Sequence, residues 1–155
     1  MKPSLQQDQW YIVDDEVMGG KSSGYVRDKG HNLLFEGTIS LENNGGFSSI
    51  RTKIADESAH LVRQIRLLVE GDGRDYELLF KQNGERVAYR HQFKTTAGKK
   101  SDLHLSVAEF KPTFRGKPLE KKVPSAAKIK ELGFMQADGQ SGEFRLIIHH
   151  VLLEA

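Results

Sequence analysis

Tyr76-Glu77-Leu78-Leu79-Phe80-Lys81-Gln82-Asn83-Gly84-Glu85-Arg86-Val87-Ala88-Tyr89-Arg90-His91-Gln92-Phe93 is the stretch whose reading decides the fold. Tyr76, Leu78 and Phe80 recur at every second position, and Val87, Tyr89, His91 and Phe93 do the same. A period of two sends one set of side chains to a buried face and the other to a wet one, which is the pattern of a strand. Asn83-Gly84 between the two runs is the short-range signal of a hairpin, because both residues tolerate positive φ. The alternation repeats in Leu33, Phe35, Ile39 and Leu41, in Ile65, Leu67 and Val69, in Leu103, Leu105 and Val107, and in Phe144, Leu146 and Ile148. Asn44-Gly45-Gly46, Asp72-Gly73-Arg74, Gly98-Lys99 and Asp138-Gly139 punctuate these runs as turns. The expected fold is all-β, with antiparallel strands forming a two-sheet sandwich or a barrel. Helix is expected in two places. One is a single turn over residues 58–64; the other is a short helix over Ala126–Glu131, capped by Ser125 and ended by Gly133.

The chain has 155 residues, enough for one domain with a sizeable core. That domain is expected over residues 10–155, with residues 1–9 as a flexible tail. Charged residues make up 28% and mean hydropathy is −0.53, the balance of a soluble globular chain. No apolar run approaches a membrane span. Residues 1–9 have neither the apolar core of a secretory leader nor the Arg/Ser-rich character of a mitochondrial one, so a cytoplasmic location is expected. The absence of cysteine excludes disulfides, thiolate zinc sites and thiol nucleophiles together. Residues 1–60 hold six Lys/Arg against nine Asp/Glu, whereas residues 94–130 hold ten against three. The basic stretch lacks the interleaved aromatics of a single-strand binder and contains Pro112, Pro118 and Pro124. It reads as a solvated loop, and no nucleic-acid partner is expected.

Two polar, glycine-punctuated clusters stand apart: Asp14-Asp15-Glu16-Val17-Met18-Gly19-Gly20-Lys21-Ser22-Ser23-Gly24 and Glu42-Asn43-Asn44-Gly45-Gly46-Phe47-Ser48-Ser49-Ile50-Arg51. Paired glycines permit positive φ or a close approach of another group. Polar loops on a rigid sheet are usual places for a binding surface. The acids have two readings: one carboxylate bonds loop N–H groups while the others are solvated, or the group binds a cation or ligand. Asp14, Asp15 and Glu16 cannot all face one ion, because adjacent strand residues diverge. A carboxylate pair for glycoside hydrolysis, such as Asp14 or Asp15 with Glu42 or Asp72, would need a cleft that spacing alone does not supply. Arg51, Arg74 and Arg115 each present a donor fork for a carboxylate or phosphate, or for an internal acid such as Asp72. Phe110-Lys111-Pro112-Thr113-Phe114-Arg115-Gly116 is either a crossover whose two Phe rings plug the core edge or a recognition loop presenting Arg115.

His31, His60, His91, His104, His149 and His150 form no metal-ligand spacing, and no nucleophile elbow or phosphate loop is present. No catalytic residue, metal or cofactor is assigned, and the chain is read as a non-enzyme. The candidate binding surface comprises Asp14, Asp15, Met18, Gly19, Gly20, Asn43, Asn44, Arg51, Asp72, Arg74 and Arg115.

From Trp10 onward these residues resemble the complex I intermediate-associated protein 30 family. The resemblance runs through Asp14-Asp15, Val17-Met18-Gly19-Gly20, Phe35-Glu36-Gly37, Asn43-Asn44-Gly45-Gly46-Phe47, Arg51, Gly71-Asp72-Gly73-Arg74, Phe114-Arg115-Gly116, Gly133-Phe134-Met135 and Gly142-Glu143-Phe144. It covers about residues 10–152 and is similar to a bacterial single-domain form. The resemblance implies a galactose-binding-like jelly roll of two antiparallel sheets. It also implies a non-catalytic assembly factor or chaperone working through contacts with a protein partner. The likeness of that fold to carbohydrate-binding modules makes a sugar or small anionic ligand the alternative.

Overall fold

The structure, a computed structural model, describes residues 1–55 and 60–155, excluding the side chains of Val17 and Met18. Its strands are β1 (Tyr11–Asp14), β2 (Ser23–Lys29), β3 (Asn32–Ile39), β4 (Ser48–Lys53), β5 (Leu61–Val62), β6 (Gln64–Glu70), β7 (Asp75–Gln82), β8 (Ala88–Lys94), β9 (Lys100–Ser106), β10 (Lys111–Phe114), β11 (Lys117–Pro118), β12 (Ala127–Gln136) and β13 (Gly142–Glu154). They form two antiparallel sheets. The larger runs β1-β4-β12-β7-β8-β10-β11, with β5 beside β12; the smaller runs β2-β3-β13-β6-β9. Among the described residues no helix is long and apolar enough to cross a membrane.

The alternation read from the sequence is what closes the sandwich. Leu33, Phe35, Ile65, Leu67, Leu146 and Ile148 from the smaller sheet share one core with Tyr76, Leu78, Phe80, Tyr89, Leu132 and Phe134 from the larger. Phe80 stacks on Tyr89 at 4.9 Å across the β7–β8 hairpin, and Phe110 meets Phe80 edge-on at 5.0 Å. Such pairs add about 0.5–1.5 kcal/mol each beyond their burial.

Of the expected helix over Ala126–Glu131, Ala127 onward is instead the start of β12, which pairs first with β5 and then with β4, and with β7 on its other side. A bulge between Ile129 and Glu131 explains the misreading. The extra residue sets the core-facing Ile129 and Leu132 three apart, which mimics helical spacing inside a strand. Of the expected turn over residues 58–64, residues 58 and 59 lie outside the described residues, Leu61–Val62 is β5 and Gln64 opens β6. Residues 1–9 contact the sandwich at several points. The Met1 amino group donates to Leu153 O at 2.9 Å, the Gln7 N–H donates to Asp28 at 2.9 Å, and Ser4 O accepts from the Trp10 indole at 2.8 Å.

Candidate functional site

The first glycine cluster carries the chain from β1 in the larger sheet to β2 in the smaller, and the second carries it back from β3 to β4. Asp15 joins them. Its carboxylate is fully buried and accepts from Ser22 N at 2.9 Å, Gly46 N at 2.6 Å and Phe47 N at 3.3 Å. Burial pushes its pKa up, but the hydrogen bonds from Ser22, Gly46 and Phe47 outweigh that and leave it below the ordinary value.

Each glycine pair divides its labour around this carboxylate. Gly19 and Gly46 hold positive φ, at 84° and 143°. Gly20 and Gly45 make room: a Cβ on Gly20 would come within 2.6 Å of Asp15 Oδ1, and one on Gly45 within 2.5 Å of Oδ2. Asn43 and Asn44 take left-handed φ of 56° and 58°, which asparagine tolerates better than most residues. The Asn43 amide donates to Gly19 O at 3.2 Å, from one cluster to the other. Asp14 accepts from Ser48 Oγ at 2.5 Å and Gly24 N at 3.0 Å. Burial nevertheless raises its pKa, helped by the neighbouring charges of Asp15 and Glu16.

Asp72 and Arg74 occupy the β6–β7 loop. Asp72 accepts from Tyr76 Oη at 3.0 Å and Arg145 N at 2.8 Å, and does not pair with Arg51. Arg74 grips Asp138 through Nε and NH2, at 3.1 and 2.7 Å. It also donates to the carbonyls of Gly142 at 3.1 Å, Glu143 at 2.9 Å and Gln140. The ion pair depresses Asp138 and raises Arg74. Arg115 lies beyond β10, near the edge of the larger sheet opposite β1, with φ of 50° and its guanidinium 5.2 Å from the centre of the Phe114 ring. Phe110 is in the core, whereas Phe114 is partly exposed.

The structure therefore brings Asp14, Asp15, Gly19, Gly20, Asn43 and Asn44 together and leaves Asp72 with Arg74, Arg51 and Arg115 in separate places. The backbone of Met18 ends a 3-10 turn beside Gly19.

Arg51 belongs to a different arrangement, on the outer face of the larger sheet. Strand pairing sets Tyr11, Arg51, Gly133, Leu79, Arg90 and Lys111 side by side as one rung across β1, β4, β12, β7, β8 and β10. One step along, Lys53, Glu131 and Lys81 form a second rung; one step the other way, Val13, Ser49, Met135, Glu77 and Gln92 form a third. Gly133 is the floor. A Cβ there would meet Ile50 O at 2.9 Å, Arg51 Cγ at 3.1 Å and Leu79 Cδ1 at 3.1 Å, so the Arg51 stem crosses where a side chain would stand. Leu79 and Met135 are buried, yet they are outside the core between the sheets. Long charged side chains cover apolar surface of this kind with their stems.

The charges at the middle of this face are crowded and drawn out of water. Side-chain exposure is 16% for Arg51 and 14% for Glu131. Glu131 accepts from Tyr11 Oη and lies 4.0 Å from Arg51 and 3.9 Å from Lys81. Arg90 donates to Glu77. Burial, and then the charge of Arg90, lower the Arg51 pKa; burial, and then Arg51, lower that of Lys81. Burial raises Glu131. Apart from Arg51, sequence reading missed this site. Its members come from six strands, and only the sheet register aligns them.

Trp10, Tyr76 and Tyr89 are all buried, so none of them offers a ring to a sugar. Tyr25 is 65% exposed and flanks an open depression of about 600 Å³, lined also by Glu36, Thr38, Asp72, Arg74 and Arg145.

A family 11 carbohydrate-binding module of a Clostridium thermocellum cellulosomal cellulase superposes with a TM-score of 0.67 over 100% of this chain and 95% of its own, at 14% identity. The Clostridium thermocellum family 11 module in complex with a β-1,3-1,4-mixed-linked tetrasaccharide gives 0.64 over 95% and 89%, at 16% identity. These likenesses establish the jelly-roll, galactose-binding-like fold. An uncharacterized protein of Schizosaccharomyces pombe is 28% identical over 94% of this chain and 80% of its own length. The family model of complex I intermediate-associated protein 30 matches residues 1–148. The chain belongs to the complex I intermediate-associated protein 30 family.

Proposed function

We propose that this chain is a non-catalytic binding protein that acts as an assembly factor or chaperone through contacts with a protein partner. The observation that carries the reading is the outer face of the larger sheet, where partly buried charged side chains remain incompletely paired. Asp14, Asp15 and Asp72, the carboxylates first in line for acid–base work, are occupied as acceptors for loop and strand groups. The family name supplies the partner to try first, an intermediate of respiratory complex I. Capture with the tagged chain, followed by mass spectrometry, tests this. The expected result is a specific set of partners whose recovery falls for variants of the sheet face. Recovery of no protein above an untagged control would end the reading.

A second reading is supported by Tyr25. This exposed ring stands in register with Glu36, which in turn pairs with Arg145, so an aromatic face and planar polar groups border one depression. That combination suits a sugar ring, which needs an apolar platform beside hydrogen-bonding groups. Titration with the mixed-linked tetrasaccharide bound by the family 11 module would show heat that Tyr25→Ala abolishes; a flat titration removes this alternative.

A further inference from the structure

The geometry points to the rung Arg51–Gly133–Leu79–Arg90 as a clamp for the carboxylates of an acidic peptide segment of the protein partner, an inference that rests on the protein-binding reading above.

The first reason is unused hydrogen-bonding capacity. Arg51 uses only Nε in a hydrogen bond among the described residues, to Ser49 Oγ at 3.3 Å, and its NH1 lies 4.0 Å from Glu131, beyond hydrogen-bond reach. Lys81 stands off the same carboxylate at 3.9 Å. Arg90 Nε is buried and has no acceptor among the described residues. Arg74 is the internal contrast, since its Nε, NH1 and NH2 all donate. A buried donor without a partner is held at a standing penalty; since this Nε has no exposed surface, the penalty is relieved when the Arg90 guanidinium turns toward an incoming acceptor.

The second reason is charge. Arg51, Lys53, Lys81, Arg90 and Lys111 face outward with only Glu77 and Glu131 among them; Asp75 and Lys94, one rung further, oppose each other. Arg51 and Arg90 start three strands apart, about 14 Å at the usual strand spacing. The Arg51 stem crosses Gly133 toward Leu79, and Arg51 senses the Arg90 charge, so the two arginines face a common space. Neutral sugars do not call for this excess of cations, whereas the guanidinium fork matches a carboxylate.

The third reason is extent. The rung from Tyr11 to Lys111 crosses six strands, roughly 24 Å. An extended peptide presents same-side carboxylates about every 6.5–7 Å and can meet Arg51, Arg90 and Lys111 in turn. A small free anion meets only part of this row.

Calorimetric titration of the intact chain with a capped hexaglutamate peptide at low ionic strength tests the site. Binding is expected, about tenfold weaker for Arg51→Gln and for Arg90→Gln. Hexaglutamine should not bind. Lys99→Gln with Lys122→Gln, which strips charge from exposed lysines elsewhere, should leave the affinity within about twofold. Thermal melts confirm folding, and Arg51→Lys, which keeps the charge and loses the fork, should fall between wild type and Arg51→Gln.

No heat with hexaglutamate, equal weakening by the lysine pair, or binding of hexaglutamine overturns the inference. Tighter binding of inorganic phosphate or trigalacturonate than of hexaglutamate overturns it too, by assigning the clamp to another anion. Partners captured equally by wild type, Arg51→Gln and Arg90→Gln would discard this site and keep the protein-binding reading. Hexaglutamate binding without any captured partner would do the reverse.

Discussion

The carboxylate of Asp15 accepts a hydrogen bond from the backbone N–H of Gly46 at 2.6 Å, across 31 positions of sequence. Asp15→Asn replaces one acceptor oxygen with a donor that must face N–H groups. The expected cost at neutral pH is about 2–4 kcal/mol, read from urea unfolding. Because folding depresses the Asp15 pKa, its contribution is complete above the unfolded value of about 4 and fades as pH falls through the lower folded value. The gap between wild type and Asp15→Asn should therefore narrow below about pH 4. A gap that stays constant throughout the acid range would show that the charge is not what stabilises these loops.

Gly20→Ala and Gly45→Ala should each destabilise more than Gly19→Ala. The first two drive a methyl group into the Asp15 carboxylate, whereas a Cβ on Gly19 meets nothing within 4 Å and adds only backbone strain. The strain at Gly19 is expected to cost about 1 kcal/mol. Thermal melting of the three variants ranks them, and Gly19→Ala as the worst would contradict this division of roles.

Arg74→Lys keeps the charge and loses the fork that holds Asp138 and the carbonyls of Gln140, Gly142 and Glu143. The side chains of Arg74 and Asp138 are 14% and 9% exposed, so solvent screening does little to soften the loss. A drop of about 2–3 kcal/mol is expected, with faster hydrogen exchange in the β12–β13 turn. An exchange pattern identical to wild type would remove Arg74 as the anchor of that turn.

Gly133→Ala places a methyl group under the stems of Arg51 and Leu79. Overpacking of this kind costs about 1–3 kcal/mol. Chemical-shift changes should concentrate at Arg51, Leu79 and Glu131 and leave the core between the sheets unmoved. Shifts centred on the Phe134 and Leu78 side chains would place the stress in the core instead.

Removal of residues 1–9 strips the Trp10 indole N–H of its acceptor, Ser4 O, and deletes the pairing of Met1 with Leu153. A fall in Tm of several degrees is expected, each kcal/mol being worth about 2–8 °C in domains near this size. An unchanged Tm would show the segment to be energetically a tail.

The sandwich is legible in the sequence because alternation persists wherever a strand buries one face, as in Ile65, Leu67 and Val69 or in Tyr76, Leu78 and Phe80. The reading fails at Ile129 because a bulge breaks the period and no local signal announces it. The two glycine clusters announce themselves, but their meaning depends on Asp15 reaching Gly46, a contact between loops far apart in the chain. The charged rung is the least legible. Glu131, Lys81 and Arg90 look like ordinary solvated residues of three strands until register sets them beside Arg51.

The first two passages of the chain between the sheets, β1 to β2 and β3 to β4, are pinned by the one Asp15 carboxylate. In a chain without cysteine, this is a crosslink made of charge and backbone rather than sulfur. It answers to protons and is indifferent to oxidants and reductants. The same end of the sandwich would thus stay closed in a reducing or an oxidising medium, and would loosen at both passages together in strong acid.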